Sequence, residues 1–91
     1  MDNEEIKKEA LLNFPCEFLI KVFGNNTDQF EMEVITLIRK HTQLKEDAIT
    51  NRLSKDQKYL ALTVKIDAQS REQLDDIYRE LSSSPLVLMA L

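Results

Sequence analysis

One cysteine, one histidine and several carboxylates are the residues of this 91-residue chain that could carry chemistry. Cys16 is a potential nucleophile and His41 a potential base, because an imidazole close to a thiol can accept its proton. Cys16 lies in a strand-like segment and His41 at the far end of a helical one, so only the fold could bring them together. We expect both residues to be structural. Of three hypotheses for the function of the protein, an enzyme that uses Cys16 or His41 is the least favoured.

The sequence lacks the other common signatures of enzyme sites. A single histidine excludes multi-histidine metal sites, and no zinc-ligand spacing, nucleotide-binding glycine motif or nucleophile elbow occurs. Asp75 and Asp76 lie among Arg71, Arg79 and Glu80, which is typical of a solvated helix face rather than of an acid-base pair. We expect a non-enzymatic protein with no cofactor and no bound metal.

Charge and hydropathy restrict the partners and the location of the protein. Its 16 acidic and 12 basic residues give a formal charge of -4, which disfavours nucleic acid and anionic lipid as partners. The first residues lack the pattern of a secretory signal, and no apolar run approaches the roughly 20 residues of a membrane span. Cys16 has no second cysteine with which to form an internal disulfide. The sequence predicts a cytoplasmic protein without membrane contact.

Hydrophobic spacing predicts a short N-terminal arm followed by six elements. Residues 1–13 are expected to form the arm, with one or two helical turns that end at Phe14-Pro15, and residues 14–91 a single domain. Period-two alternation indicates strands and spacings of three and four indicate helices, with Thr27 and Ser70 as N-caps. The expected elements are strand 16–23, helix 27–41, strand 48–53, strand 59–68, helix 70–81 and strand 87–91.

This order of elements is that of an α+β, ferredoxin-like βαββαβ sandwich. Two split βαβ units give a four-stranded antiparallel sheet with both helices on one face. The core is expected between the sheet and the helices. Its predicted members are Phe18, Ile20, Val22, Phe30, Val34, Leu37, Ile38, Leu60, Leu62, Val64, Ile66, Leu74, Ile77 and Leu81.

The second face of such a sheet carries no helix and is a candidate interaction surface. Alternation predicts a half-apolar surface there, and a contiguous surface of this kind often binds another protein or a second copy. RNA-binding domains of this fold place aromatic residues centrally among basic ones, whereas Phe23 and Tyr59 lie at strand ends. The residues expected on this face are Leu19, Phe23, Tyr59, Ala61 and Thr63, with Leu88 or Ala90.

The only glycine, Gly24, follows the first strand and precedes Asn25, Asn26 and Thr27. Gly and Asn tolerate positive φ angles, so we expect a sharp strand-to-helix turn at Gly24. Backbone amides at a helix start can also bind a carboxylate. Gly24 to Thr27 are therefore the candidate ligand-binding residues.

Three segments resemble the YbeD-like uncharacterised proteins of Gram-negative bacteria. They are FPCEFLIKVFG at 14–24, YLALTVKIDAQSREQLDDIYRELS at 59–82 and VLMAL at 87–91. The resemblance implies a ferredoxin-like fold close to ACT-type regulatory domains, which bind small ligands after their first strand and commonly form dimers. It supplies no catalytic residues, and the 54–58 hairpin departs from the pattern because it lacks a glycine.

Two functional hypotheses precede the enzyme hypothesis. The first is a regulatory domain that senses a small, amino-acid-like ligand at Gly24 to Thr27, as the ACT-type resemblance implies. The alternative is a protein-interaction or adaptor module that uses the open face of the sheet, with a protein partner or a homodimer.

Overall fold

The computed structural model describes residues 13–91. The predicted helical arm lies outside these residues except for its last position, so the division into arm and domain stays a prediction. The elements are β1 (Cys16–Asn25), α1 (Asp28–Arg39), β2 (Ile49–Leu53), β3 (Tyr59–Ala68), α2 (Arg71–Ser83) and β4 (Val87–Ala90).

The four strands form one antiparallel sheet in the order β2-β3-β1-β4, which confirms the ferredoxin-like βαββαβ fold. The central pair is β1 and β3, which align over ten residues from Cys16 opposite Ala68 to Asn25 opposite Tyr59. β2 and β4 are the edge strands and pair only with their inner neighbours.

Local hydrogen bonds set the start of each helix. The Thr27 hydroxyl accepts from the Phe30 amide at 3.1 Å, and the Ser70 hydroxyl accepts from the Gln73 amide at 3.1 Å, as the two predicted caps require. α1 is two residues shorter at its C-terminus than expected and ends at Arg39 with Lys40 as its cap. Acidic residues in the first turn and Arg39 in the last turn of α1 suit the helix dipole.

The core lies between the helices and one face of the sheet, as predicted. Twelve of the 14 predicted members are buried, and the largest of them, Phe30, is fully buried. Phe18 and Leu37 are only partly buried and pack against the core from its margin. Ala48 and Ala68 are buried in addition.

The expected role of Gly24 is wrong. Gly24 lies within β1, opposite Leu60, and no glycine has a positive φ angle. A β-carbon at Gly24 would stand 2.8 Å from the carbonyl oxygen of Leu86 and still closer to the ring of Phe30. Glycine is needed here because α1 and the β4 connection approach the strand closely, so its role is steric.

A β-bulge corrects the expected orientation of the last strand. Ala90 pairs with Val22 and packs against the core, whereas Met89 pairs with Phe23. The register then shifts, so that Val87 lies opposite Gly24 and Leu88 is the extra residue. Ala90 is therefore not on the open face. Met89 occupies the position there that was expected for Leu88 or Ala90.

Candidate functional site

The sheet surface that faces away from α1 and α2, here called the open face, is covered by no element within residues 13–91. Strand alternation and register place five side chains of each central strand on it, and two of the five opposed pairs continue into rows that cross all four strands. One row joins Arg52, Ala61, Phe23 and Met89. The next row joins Thr50, Thr63, Lys21 and Leu91.

Four apolar residues on β1 and β4, here called the apolar band, lie side by side on the open face. Leu91 exchanges two backbone hydrogen bonds with Lys21, of 2.7 and 3.0 Å, and so extends the register of β4. Its side chain is thereby diagonal to both Leu19 and Phe23, within reach of large side chains. The band consists of Leu19, Phe23, Met89 and Leu91, and three of them are more than half exposed.

Clustering distinguishes the apolar band from ordinary exposed residues. Within residues 13–91 eight large hydrophobic residues are exposed, and a single exposed leucine needs no explanation. Four of the eight, however, lie on the open face, where Tyr59 at 48% exposure joins three members of the band. A contiguous apolar patch of this kind is a candidate interaction site.

A depression lies beside the apolar band, toward β2. The residues that line it belong to β1, β2 and β3 and are Lys21, Phe23, Thr50, Asn51, Arg52, Ala61 and Thr63. Two of them are cations, and two carry hydroxyl groups on the open face. The open face thus combines an apolar half with a polar, basic half.

The candidate ligand-binding residues after β1 use their amides within the chain. The Asn26 amide donates to the Lys58 carbonyl at 2.9 Å, and the Thr27 amide donates to the Asn25 carbonyl at 2.8 Å. The Asn26 side chain donates to the Gln57 carbonyl at 3.0 Å, which joins the turn to the β2–β3 hairpin. This turn is an internal junction, and the amides of Asn26 and Thr27 are already engaged.

His41 belongs to a polar cluster with Lys40, Gln73 and Glu80. Its Nε2 is hydrogen-bonded to Glu80, whose other oxygen accepts from Lys40 Nζ at 3.2 Å. The backbone carbonyl of His41 accepts from Gln73 Nε2 at 2.9 Å. Cys16 packs against the core at the start of β1. The cluster ties the end of α1 to α2, which is a structural role.

Among residues 13–91, three ionisable groups outside the open face have shifted pKa values. The hydrogen bond from His41, followed by that from Lys40, lowers the pKa of Glu80. In the β2–β3 hairpin the Ser54 hydroxyl, and then the Lys58 amide, lower the pKa of Asp56. Burial raises the pKa of Tyr78. These shifts follow from helix packing and turn geometry.

Sequence reasoning placed Leu19, Phe23, Tyr59, Ala61 and Thr63 on the open face, and the structure places them there. Their role in binding stays a prediction. Further residues of this surface were not among those expected on it, and five of them line the depression or belong to the apolar band: Lys21, Thr50, Arg52, Met89 and Leu91. Period-two alternation does put Lys21 on the side of Leu19 and Phe23, whereas Arg52 and Met89 depend on a strand register and a bulge that the sequence does not display.

Residues 13–91 offer no arrangement for a metal or a membrane span. No three side chains of His, Cys, Asp or Glu in this range are grouped so that they could hold a metal ion. None of the helices formed by these residues has the length and apolar character needed to cross a bilayer.

Comparison with known proteins places the chain in a family. The family described as "Protein of unknown function (DUF493)" matches residues 9–91. The chain belongs to this family. A UPF0250 protein of Janthinobacterium sp. is 44% identical over 84 residues, which cover 91% of this chain and 92% of the relative. A UPF0250 protein of Paraburkholderia phytofirmans is 39% identical over 84 residues, covering 91% and 94%. The resemblance to YbeD-like proteins is confirmed.

A solved structure supports the fold of this DUF493 chain. The solution structure of protein HP0495 from H. pylori is similar with a TM-score of 0.65, over 88% of this chain and 85% of that chain. The two sequences are 17% identical, so the likeness concerns the fold alone.

Proposed function

We propose that this DUF493 protein is a non-enzymatic binding module that contacts another protein through the open face of its sheet. The observation that carries the proposal is the apolar band, four adjacent apolar side chains on a face that nothing in residues 13–91 covers. Burying such side chains against a partner removes apolar surface from water, which is the main favourable term in protein association.

The size of the open face is adequate for this role. Strands spaced about 4.8 Å apart, with a rise of about 3.3 Å per residue, give strands of ten, five, ten and four residues an area of about 460 Å². Specific interfaces bury about 800 Å² on each partner, and weak or transient ones less than about 600 Å². The open face therefore fits a small, transient protein contact.

The distribution of polar groups supports binding over catalysis. The shifted acids Glu80 and Asp56 lie in the helix cluster and in the hairpin, away from the open face. The open face itself offers hydrophobic side chains, cations and hydroxyl groups, and its two acids, Glu17 and Asp67, lie at one end beside Lys65 and Lys45. Hydrophobic side chains beside polar and charged ones can recognise a protein partner.

ACT-like sensing of an amino-acid-like ligand at Gly24 to Thr27 ranks below this proposal. Gly24 is packed against Phe30 and Leu86, and two of the amides on which that hypothesis depends are occupied by Lys58 and Asn25.

Site-specific photo-crosslinking tests the proposal. A photoreactive phenylalanine analogue would replace Leu19 on the open face or, as the matched control, Met32 on α1, which is 67% exposed. We expect irradiation of host cells to give a discrete heterologous adduct from position 19 that is lost when Phe23→Glu is added. Equal adducts from both positions, or none from position 19, would contradict the proposal, and an adduct of twice the chain mass would identify a homodimer instead.

A further inference from the structure

Charge is segregated between the two sides of the fold. The two helices carry seven acidic and three basic residues, whereas the four strands carry two acidic and three basic. All five charged strand residues occupy open-face positions by register. The formal charge of the whole chain is -4, whereas the charged residues of the sheet sum to a positive charge.

Within residues 13–91, ion pairs neutralise the two acids of the open face and leave two of its cations unpaired. Both acids of the open face lie at its far end and have cationic partners: Glu17 is 4.0 Å from Lys65, and Asp67 is 3.9 Å from Lys45. Lys21 and Arg52, here called the cationic pair, are exposed and form no salt bridge with any residue of 13–91.

The cationic pair frames the depression beside the apolar band. Lys21 and Arg52 lie two strands apart and in neighbouring rows, about 12 Å between their α-carbons, and both line the depression. Thr50 and Thr63 lie beside Lys21 in its row and add hydroxyl groups that can donate to an anion. Phe23 belongs to both the depression and the apolar band, so a ligand at one reaches the other.

Building on the binding role proposed above for the open face, we propose that the partner presents an acidic-apolar segment. Its large apolar side chains lie on the apolar band, and at least one Asp or Glu carboxylate lies between Lys21 and Arg52. The guanidinium and ammonium groups supply charge-assisted hydrogen bonds to that carboxylate. Complementary charge also raises the association rate and excludes basic segments.

The two other occupants fit the surface less well. A second copy of the chain would present an identical open face, because a two-fold interface is self-complementary. Each cationic pair would then face a surface whose two acids already have cationic partners, so it would find no free carboxylate. Nucleic acid would meet two unpaired cations, which neutralise few phosphates, beside an apolar band. The acidic helices would also repel its phosphates. A protein segment with carboxylates matches both halves of the surface.

A peptide selection with defined probes tests this inference. Random dodecapeptides would be displayed on phage and selected on the full-length protein, and the best three synthesised with each Asp or Glu retained or replaced by Asn or Gln. We expect the selected peptides to combine acids with Leu or aromatic residues. Replacing the acids should weaken binding about three- to tenfold, as expected for one or two exposed ion pairs, and added salt should narrow the difference.

Variants of the protein provide the matched comparison. Lys21→Gln with Arg52→Gln should weaken binding of the acidic peptides about three- to tenfold. Arg39→Gln with Lys55→Gln changes the net charge equally at exposed sites away from the depression and should leave the affinity within twofold.

The outcomes separate this inference from the proposed function. Neutral or basic peptides that bind independently of the cationic pair but are lost with Leu19→Glu would overturn the acidic preference and leave the binding role intact. No selected peptide, or peptides that tolerate Leu19→Glu, would overturn both. A labelled 20-nucleotide oligo-dT that binds more tightly than every peptide at 0.15 M salt would overturn the choice of a protein partner.

Discussion

At the scale of single residues, position 24 requires glycine because a β-carbon would not fit there, and not because the backbone needs a positive φ angle. The strand passes so close to Phe30 and to the Leu86 carbonyl that no β-carbon fits. The sequence shows that a single glycine stands before two asparagines, and this pattern favours a turn. It cannot show which side chain of α1 will lie against the strand, because that contact depends on the crossing of α1 over β1.

Gly24→Ala is expected to lower the free energy of unfolding by about 1–3 kcal/mol, because the added methyl group overpacks a rigid contact. In a Phe30→Leu background the same change should cost less, since the smaller side chain leaves room and the two effects couple. Urea unfolding of the four proteins measures the coupling. A Gly24→Ala protein as stable as the parent would contradict the steric account.

The Glu80 cluster gives a pH prediction. The folded pKa of Glu80 lies below its ordinary value of 4.5, chiefly through His41 and then Lys40. The stabilisation is therefore fully present above pH 4.5 and is lost as pH falls through the folded pKa.

Carboxyl NMR titration should show the Glu80 pKa below its ordinary value, and His41→Ala should raise it more than Lys40→Ala does. His41→Ala should also reduce the loss of stability between pH 6 and pH 3. A Glu80 pKa that is unchanged in His41→Ala would contradict this assignment.

At the scale of elements, alternation and capping predicted all six segments in the correct order. Thr27 and Ser70 cap α1 and α2 as expected, because a Ser or Thr before a helical pattern acts locally. The Gln73 side chain also supports the start of α2, because its oxygen accepts from the Gln69 amide at 2.7 Å. The bulge that exposes Met89 was not predictable, because it depends on how β4 aligns with β1.

The β2–β3 hairpin turns without a glycine, and Gln57 has a positive φ of 60°. A left-handed backbone conformation costs a residue with a β-carbon about 1–2 kcal/mol. Glycine avoids this cost but loses more conformational entropy on folding. We expect Gln57→Gly to raise the free energy of unfolding by up to about 1 kcal/mol and Gln57→Ala to give no such gain. Thermal and urea unfolding measure both, and a destabilising Gln57→Gly would show that the side chain relieves the strain.

At the scale of the whole molecule, the sheet has one face packed against the helices and one face that no element of residues 13–91 covers. Leu62 is fully buried on the core face of β3, whereas Leu19 is 54% exposed on the open face of β1. The sequence predicted this division because period-two alternation assigns each strand residue to a face. It did not predict the segregation of charge, since composition averages the acidic helices with the basic sheet surface.

Truncation should separate folding residues from surface residues. Leu62→Ala is expected to cost about 2–5 kcal/mol of unfolding free energy, as for other large core residues. Leu19→Ala should change it by less than about 0.5 kcal/mol, because its side chain packs little in the folded chain. A Leu19→Ala protein as unstable as Leu62→Ala would mean that the apolar band serves folding rather than binding.

The most direct test of the central claim, that the open face binds protein, is a map of amide chemical shifts. The ¹⁵N-labelled protein would be titrated with the adduct partner recovered from position 19, or with the tightest selected peptide. We predict that the largest shifts fall within β1, β3 and β4, and that Leu19→Glu abolishes them while Met32→Glu does not. Shifts confined to α1 and α2, or to residues 26–28, would contradict the claim.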